Sequence, residues 1–183
     1  MDPSEKRELL EFLRSGRHAL TEALSGVDDN LAAQKPPTGG WSILDCVEHI
    51  TVTEELLAQR LQAAYPADQS YENRPREARF LERATNRSRR IEAPEPSHPS
   101  GRYANASEAL AAFDSARGSV LRFVDNFDDD PRCWITDHPM IQGPVNCFEM
   151  LLMIGAHPGR HAKQIVEIKI SLAGSSPMSP SPR

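Results

Sequence analysis

Apolar side chains return every three to four positions in four long stretches of this chain, the period of a helix with one buried face. Leu9, Phe12, Leu13, Leu20 and Leu24 mark the first, over about residues 3–24; Asp2 can cap it, Pro3 suits its first turn and Glu5 completes a capping box. The second opens at Ser42, whose box partner is Asp45. Its face of Ile43, Val47, Ile50, Leu57 and Leu61 runs toward Tyr65-Pro66, with His49 near the edge. The third, about 106–127, starts from Asn105 and Glu108 and carries Ala109, Leu110, Phe113, Val120, Leu121, Val124 and Phe127 before Asp128-Asp129-Asp130-Pro131 stops it. The fourth follows Asn146, is capped through Glu149 and reaches about residue 172.

The polar stretches punctuate these helices. Ser25-Gly26 and Asp28-Asp29-Asn30 read as a turn, with one more helical turn at Leu31-Ala32-Ala33, and Lys35 to Gly40 is a Pro/Gly loop. Residues 66–104 are the least regular: a helical piece around 76–91, then Ala93 to Gly101, where three prolines and a glycine exclude helix. This long crossover lets consecutive long helices run parallel. Residues 132–145, with His138-Pro139 and Gly143-Pro144, read as a second loop, and the Ser/Pro-rich tail is expected to be disordered. The expected fold is all-α: a four-helix bundle over residues 1–172, little strand, and a tail over 173–183.

Composition narrows the function classes. The chain has 183 residues, 21 basic against 26 acidic, for a net charge of −5. That balance lacks the basic footprint of a nucleic-acid partner. Aromatic residues are 6%, which argues against a strand-rich sandwich. Cys46, Cys133 and Cys147 form neither a disulfide framework nor a CxxC pair, and fit a reducing compartment. With neither a signal segment nor a membrane-length apolar run, a cytoplasmic protein without membrane partners is expected. The arginines at 74, 76, 79, 83, 87, 89 and 90 read as a solvated helix face rather than an anion-binding patch.

The chemistry concentrates in the fourth helix. His157 and His161 stand one turn apart, so both imidazoles project from one face and can reach one ion. Ile154, Ile165 and Ile168 lie on or near that face, which points the pair toward the core, where polar groups need partners. A third ligand must come from elsewhere, and His49 is the candidate. Three histidines with open positions suit a catalytic metal. Imidazole ligation fits zinc, nickel, copper or iron and does not choose among them. Pro158 lies between the two histidines, where it removes a helical hydrogen bond at a cost of ~3 kcal/mol; either the helix kinks or something offsets that cost. Cys46, one turn before His49, reads as a buried small hydrophobe; Cys147, at a helix start, is placed where a thiolate would be stabilised.

Trp41-Ser42 followed by His49 resembles the W-S-x6-H start of the second helix in the DinB/YfiT-like superfamily, and His157-Pro158-Gly159-Arg160-His161-Ala162-Lys163-Gln164-Ile165 resembles its H-x-x-R-H-x-x-Q-I segment. Ala93-Pro94-Glu95 and Gly143-Pro144 are similar to its DinB_2 branch. The resemblance spans residues ~5–172. It implies a bundle of up-down-down-up topology, a homodimer, and a divalent metal, zinc or nickel, held by His49, His157 and His161. Relatives include thiol transferases and a mycothiol-dependent isomerase. The resemblance therefore implies a small-molecule substrate, with a low-molecular-weight thiol among the candidates, and S-transfer to an electrophile or hydrolysis as the reaction. The alternative is a non-catalytic, metal-binding stress-response bundle acting through dimerisation. Arg160 and Gln164 match the motif as support for the ligands or as interface contacts.

Overall fold

The computed structural model describes residues 1–68, 72–88, 92–138 and 141–174. Four long helices carry it: α1 (Pro3–Ala23), α3 (Ile43–Gln62), α5 (Ala106–Asn126) and α6 (Cys147–Gly174), with the short α2 (Asp29–Ala33) and α4 (Arg74–Thr85) between them. The local signals act as expected at most ends. The Ser42 hydroxyl accepts from the Asp45 N–H while the Asp45 carboxylate accepts from the Ser42 N–H. Asn146 and Glu149 form the same box at α6. At α1, Asp2 accepts from the N–H groups of Ser4 and Glu5, but Glu5 does not close the box. Its carboxylate is drawn away to Arg132 and Arg74, where charge-assisted bonds outweigh one to a backbone amide.

Side-chain contacts fix the helix directions. Glu48 meets Ser100, Thr51 meets Ala109 and Glu54 meets Arg117, so α3 and α5 run parallel. Arg17 pairs with Asp114 while Lys6 reaches the Asp125 carbonyl, so α1 and α5 are antiparallel. Phe12 lies against Gly155 and Lys169 donates to the Ala23 and Ser25 carbonyls, so α1 and α6 are parallel. The order is up-down-down-up, and the crossover between α3 and α5 makes it possible. The α1–α6 contact depends on two glycines. A Cβ on Gly16 would come within 2.5 Å of the Gly155 oxygen, and one on Gly155 within 2.4 Å of the Phe12 ring.

Two apolar clusters fill the bundle. One gathers Leu9, Leu13, Leu61, Val120, Met150 and Ile154; the other gathers Leu20, Ile43, Val47, Ile50, Phe113 and Ile165.

The structure keeps strand to a small share of the chain, as expected, but corrects the reading of residues 132–145 as a loop. β1 (Tyr65–Pro66), β2 (Trp134–His138) and β3 (Ile141–Asn146) form an antiparallel sheet in the order β1-β2-β3, with Tyr65 opposite Ile135 and Ile135 opposite Asn146. The stretch read as a loop is thus mostly a hairpin. Gly143 (φ +84°) and Pro144 disguised β3, and both are tolerated because β3 is an edge strand. Three further boundaries differ. The helical piece expected at 76–91 is α4, ending at Thr85, and residues 89–91 lie outside the described residues. Among the described residues, the crossover contains one 3₁₀ turn, Glu95–Ser97. Helix α6 continues to Gly174, and the rest of the expected tail, 175–183, lies outside the described residues.

Candidate metal centre

The capping box at Ser42 sets the start of α3, and with it the direction in which His49 leaves the helix almost two turns later. The Gly16–Gly155 contact holds α6 in the bundle at the level of His157 and His161. The three side chains converge: one nitrogen from each lies within 4.8 Å of the others. His49 and His161 are buried and His157 is half-buried.

Hydrogen bonds fix which nitrogens face inward. His49 Nδ1 lies 2.7 Å from the Ser97 carbonyl, so Nδ1 carries the proton and Nε2 is left with a lone pair. His161 Nδ1 lies 2.9 Å from Gln164 Oε1, which again leaves the lone pair on Nε2. Arg87 Nη1 also donates to that Gln164 oxygen, at 3.4 Å, and two donors on one atom fix the amide orientation. Outer contacts of this kind orient imidazole ligands in metal sites. Trp41 packs on the cluster, with ring centroids 4.7 Å from His49 and 6.3 Å from His161.

The spacing of one pair fits a shared ion. His157 Nε2 and His161 Nε2 are 3.1 Å apart. Two nitrogens each ~2.0–2.1 Å from one zinc-sized ion stand about 2.9 Å apart at a right angle and about 3.3 Å apart at the tetrahedral angle. The observed spacing falls between these limits. The imidazoles are also in the required charge state. Burial lowers the pKa of His49; burial and then His161 hold His157 well below the usual histidine value; burial and then His49 lower His161 to about 3. All three are neutral at pH 7, as ligation requires. No aspartate, glutamate or cysteine joins the cluster among the described residues.

Of the other residues singled out in the sequence, Cys46 is a buried hydrophobe whose thiol is pushed up to about 12 by burial. Cys147 overturns its expectation: burial, not the helix dipole, dominates, and its thiol is also raised to about 12. His98 Nε2 donates to the Ala93 carbonyl of the crossover, and its ring edges onto Trp41, while His18 is exposed and His138 belongs to β2. The arginine run is not a solvated face throughout. Arg74, Arg76 and Arg87 pair with Glu5, Glu149 and Glu167, which docks α4 and its trailing segment onto the bundle. Arg160 donates to the Asn86 carbonyl, tying that segment to α6. Arg89 and Arg90 lie outside the described residues.

Three contributors were not legible in the sequence. Ser97 acts through its carbonyl, which no side-chain pattern reports. Glu48, buried beside His49, accepts from the N–H groups of Ser100, Gly101 and Arg102 and pins the crossover to α3. Arg117 is buried in mid-bundle, where it binds Glu54 and two carbonyls. A hydrophilic residue inside an otherwise apolar helical stripe was the only available signal for the last two.

Residues 13–165 match the profile of the DinB superfamily. The uncharacterized protein YuaE of Bacillus subtilis strain 168 is 25% identical over 150 residues, covering 80% of this chain and 88% of its own length. Two solved structures share the fold. One is YfiT from Bacillus subtilis, described as a probable metal-dependent hydrolase with an unusual four-helix bundle topology (TM-score 0.60, 16% identity, 94% of this chain and 90% of that one). The other is TT2238, described as a four-helix bundle protein (TM-score 0.51, 21% identity, 93% and 99%). With the profile match running from α1 into α6 across all three histidines, this chain belongs to the DinB superfamily.

Proposed function

We propose that this protein is a metal-dependent enzyme acting on a small electrophilic substrate, with His49, His157 and His161 as the metal ligands and hydrolysis as the leading reaction. The observation that carries the reading is the convergence of three neutral imidazole nitrogens, two of them oriented by dedicated outer hydrogen bonds. A cation shared by the three rings would use the Nε2 lone pairs that Ser97 and Gln164 leave on His49 and His161. The description of YfiT as a probable metal-dependent hydrolase supports the reaction class.

When bound, a divalent cation supplies Lewis acidity, lowering the pKa of a water or thiol that it holds. The chain's own residues do the rest. Ser97 and Gln164 hold the Nδ1 protons of His49 and His161, keeping both Nε2 atoms as donors. Trp41 covers one side of the cluster and excludes water from it. Arg87 fixes Gln164 and is itself held by Glu167. Thiol S-transfer is the second reading. It is favoured by the all-imidazole cluster, which leaves the ion its full charge to hold a thiolate and needs no protein carboxylate as base.

The deciding experiment starts from protein purified without a histidine tag. Elemental analysis should find about one transition-metal ion, zinc or nickel, per chain. Metal-loaded protein is then assayed on ester and amide panels without thiol, and on monochlorobimane with low-molecular-weight thiols. Thiol-independent hydrolysis lost in His161→Ala supports the leading reading, and thiol-dependent turnover lost in the same variant supports the second. Metal binding with no turnover in any assay overturns the enzyme reading in favour of a binding protein, and no metal binding overturns the site.

A further inference from the structure

Helix α6 passes through Pro158 without interruption, between two of the three clustered histidines. Proline has no N–H, so the carbonyl four residues earlier, that of Ile154, loses its helical donor. Ile154 is 1% exposed, so water cannot replace it. A buried carbonyl left unpaired is costly. This one is paired: Arg117 Nη2, from α5, donates to it at 3.1 Å.

The same guanidinium is buried and spans the bundle. Its Nε and Nη2 bind the two oxygens of Glu54 on α3 at 2.5 and 3.0 Å, and its Nη1 donates to the Leu13 carbonyl of α1. The Phe113 ring lies 5.1 Å beneath it. One side chain therefore touches all four long helices. Its Ile154 acceptor is open because of Pro158, one residue beyond His157. Its counter-ion, Glu54, sits five residues beyond His49.

We propose that Arg117, charge-balanced by Glu54, is a positioning residue for the metal centre: it supplies the donor that Pro158 lacks and so fixes the turn of α6 that presents His157 and His161 to His49. The inference rests on the metal reading of the cluster. The general cost of Pro158 becomes a local one, met from another helix, and the two ligand-bearing helices are tied together at the level of the site. A buried ion pair kept only for stability could be replaced by apolar residues of similar volume. Here the requirement has a specific source. It should disappear when residue 158 regains its N–H.

The test is a cycle among Pro158→Ala, Glu54→Leu/Arg117→Met and the combined triple variant. Co²⁺ serves as the probe of coordination, through its visible absorption, and competition with Zn²⁺ gives affinity. Urea unfolding is followed alongside, at a temperature where every variant is folded. Pro158→Ala should bind within threefold of wild type, because Arg117 still holds the turn. Glu54→Leu/Arg117→Met should lose at least tenfold in affinity and alter the Co²⁺ spectrum. Adding Pro158→Ala to it should recover affinity to within threefold. If the double variant does not fold, Arg117→Lys replaces it. Its single ammonium keeps a charge opposite Glu54 but cannot span the same acceptors, so the same loss and the same rescue are expected. Wild-type affinity in the charge-deleted variant, or no rescue by Pro158→Ala, overturns the proposal while leaving the metal site intact. If the wild-type protein binds neither ion, the metal reading itself fails, and a Pro158–Arg117 coupling seen only in urea would mark the pair as structural.

Discussion

Helix α6 buries polar side chains in two places, and the two are built on opposite rules. At its foot, charges are matched. Arg132, fully buried, binds Glu77 and Glu5 and lies 3.6 Å over the Phe148 ring, while Arg76 reaches the buried Glu149 at 3.1 Å. Each charge there faces an opposite one, and this network clamps α1, α4 and the start of α6 together. In the middle of the helix, three like groups face one another. The histidines share no counter-charge, stay neutral through burial, and bring one nitrogen each within 4.8 Å of the others. Matched charges complete themselves and form a lock. Neutral nitrogens gathered without a counter-charge leave a place for a cation, and the proposed metal reading rests on that difference.

The largest expected effect breaks the middle of the helix alone. His49→Ala, His157→Ala and His161→Ala should each weaken zinc or nickel binding by at least about a hundredfold, more than outer-contact changes typically cost. On the proposed reading, in which the three act through one ion, pairs of these changes should add little to the worst single one. Competition titration measures this. His49→Ala binding as tightly as wild type would remove α3 from the site.

The mirror experiment breaks the foot. Arg132→Met leaves Glu77 and Glu5 without their buried partner and should cost roughly 3–5 kcal/mol in urea unfolding, the usual penalty for orphaning a buried pair. Metal affinity at a temperature where the variant is folded should stay within a few fold of wild type. A parallel loss of affinity would mean that the two regions are coupled through α6.

A smaller effect sharpens the comparison inside the site. Gln164→Leu removes the acceptor that fixes the His161 tautomer and should lower metal affinity roughly 10–100-fold. Stability of the metal-free protein should change little, since Gln164 is half-buried and its other described bond, from Arg87, is long and leaves Arg87 still paired with Glu167.

The smallest is a pH dependence. The folded pKa values of His49, His157 and His161 lie below the unfolded value of ~6.5. The unfolded chain therefore takes up protons first as pH falls. Stability is fully present above about pH 6.5 and is lost progressively below it, toward about 3 for His161. Each such proton contributes a slope of at most about 1.4 kcal/mol per pH unit. Metal-free wild type should lose stability between pH 7 and 5 more steeply than a variant with all three histidines changed to Gln. That variant keeps the residual slope of His138, which burial, Arg60 and Arg83 lower to about 4. Equal slopes would show that the imidazoles titrate freely. The carboxylate lock enters only at lower pH. Arg132 and Arg74 depress the Glu5 pKa despite partial burial, so its contribution is lost as pH falls below the usual carboxylate range.

What the sequence determined by itself is what local chemistry controls. Helical periodicity placed the four long helices to within a few residues, because each has a continuous apolar face. The boxes at Ser42/Asp45 and Asn146/Glu149 formed as read, since their partners are three residues apart. The i,i+4 spacing of His157 and His161 guaranteed that two imidazoles share a face, and family resemblance pointed to His49. The rest was decided by contacts between residues far apart in the chain. Glu5 exchanged a capping role for Arg132, 127 positions away. Residues 134–138 and 141–146 became paired strands because Tyr65 and Pro66 and the helix ends gave them a surface to pair and pack on. Pro158 stayed in a helix because Arg117, remote in sequence, arrived at the open Ile154 carbonyl. The donor atoms of the candidate site were set in the same way, by the Ser97 carbonyl and the Gln164–Arg87 pair. Periodicity and caps report the energy of neighbours along the chain. They are silent about a buried polar atom whose partner is supplied only when the helices come together.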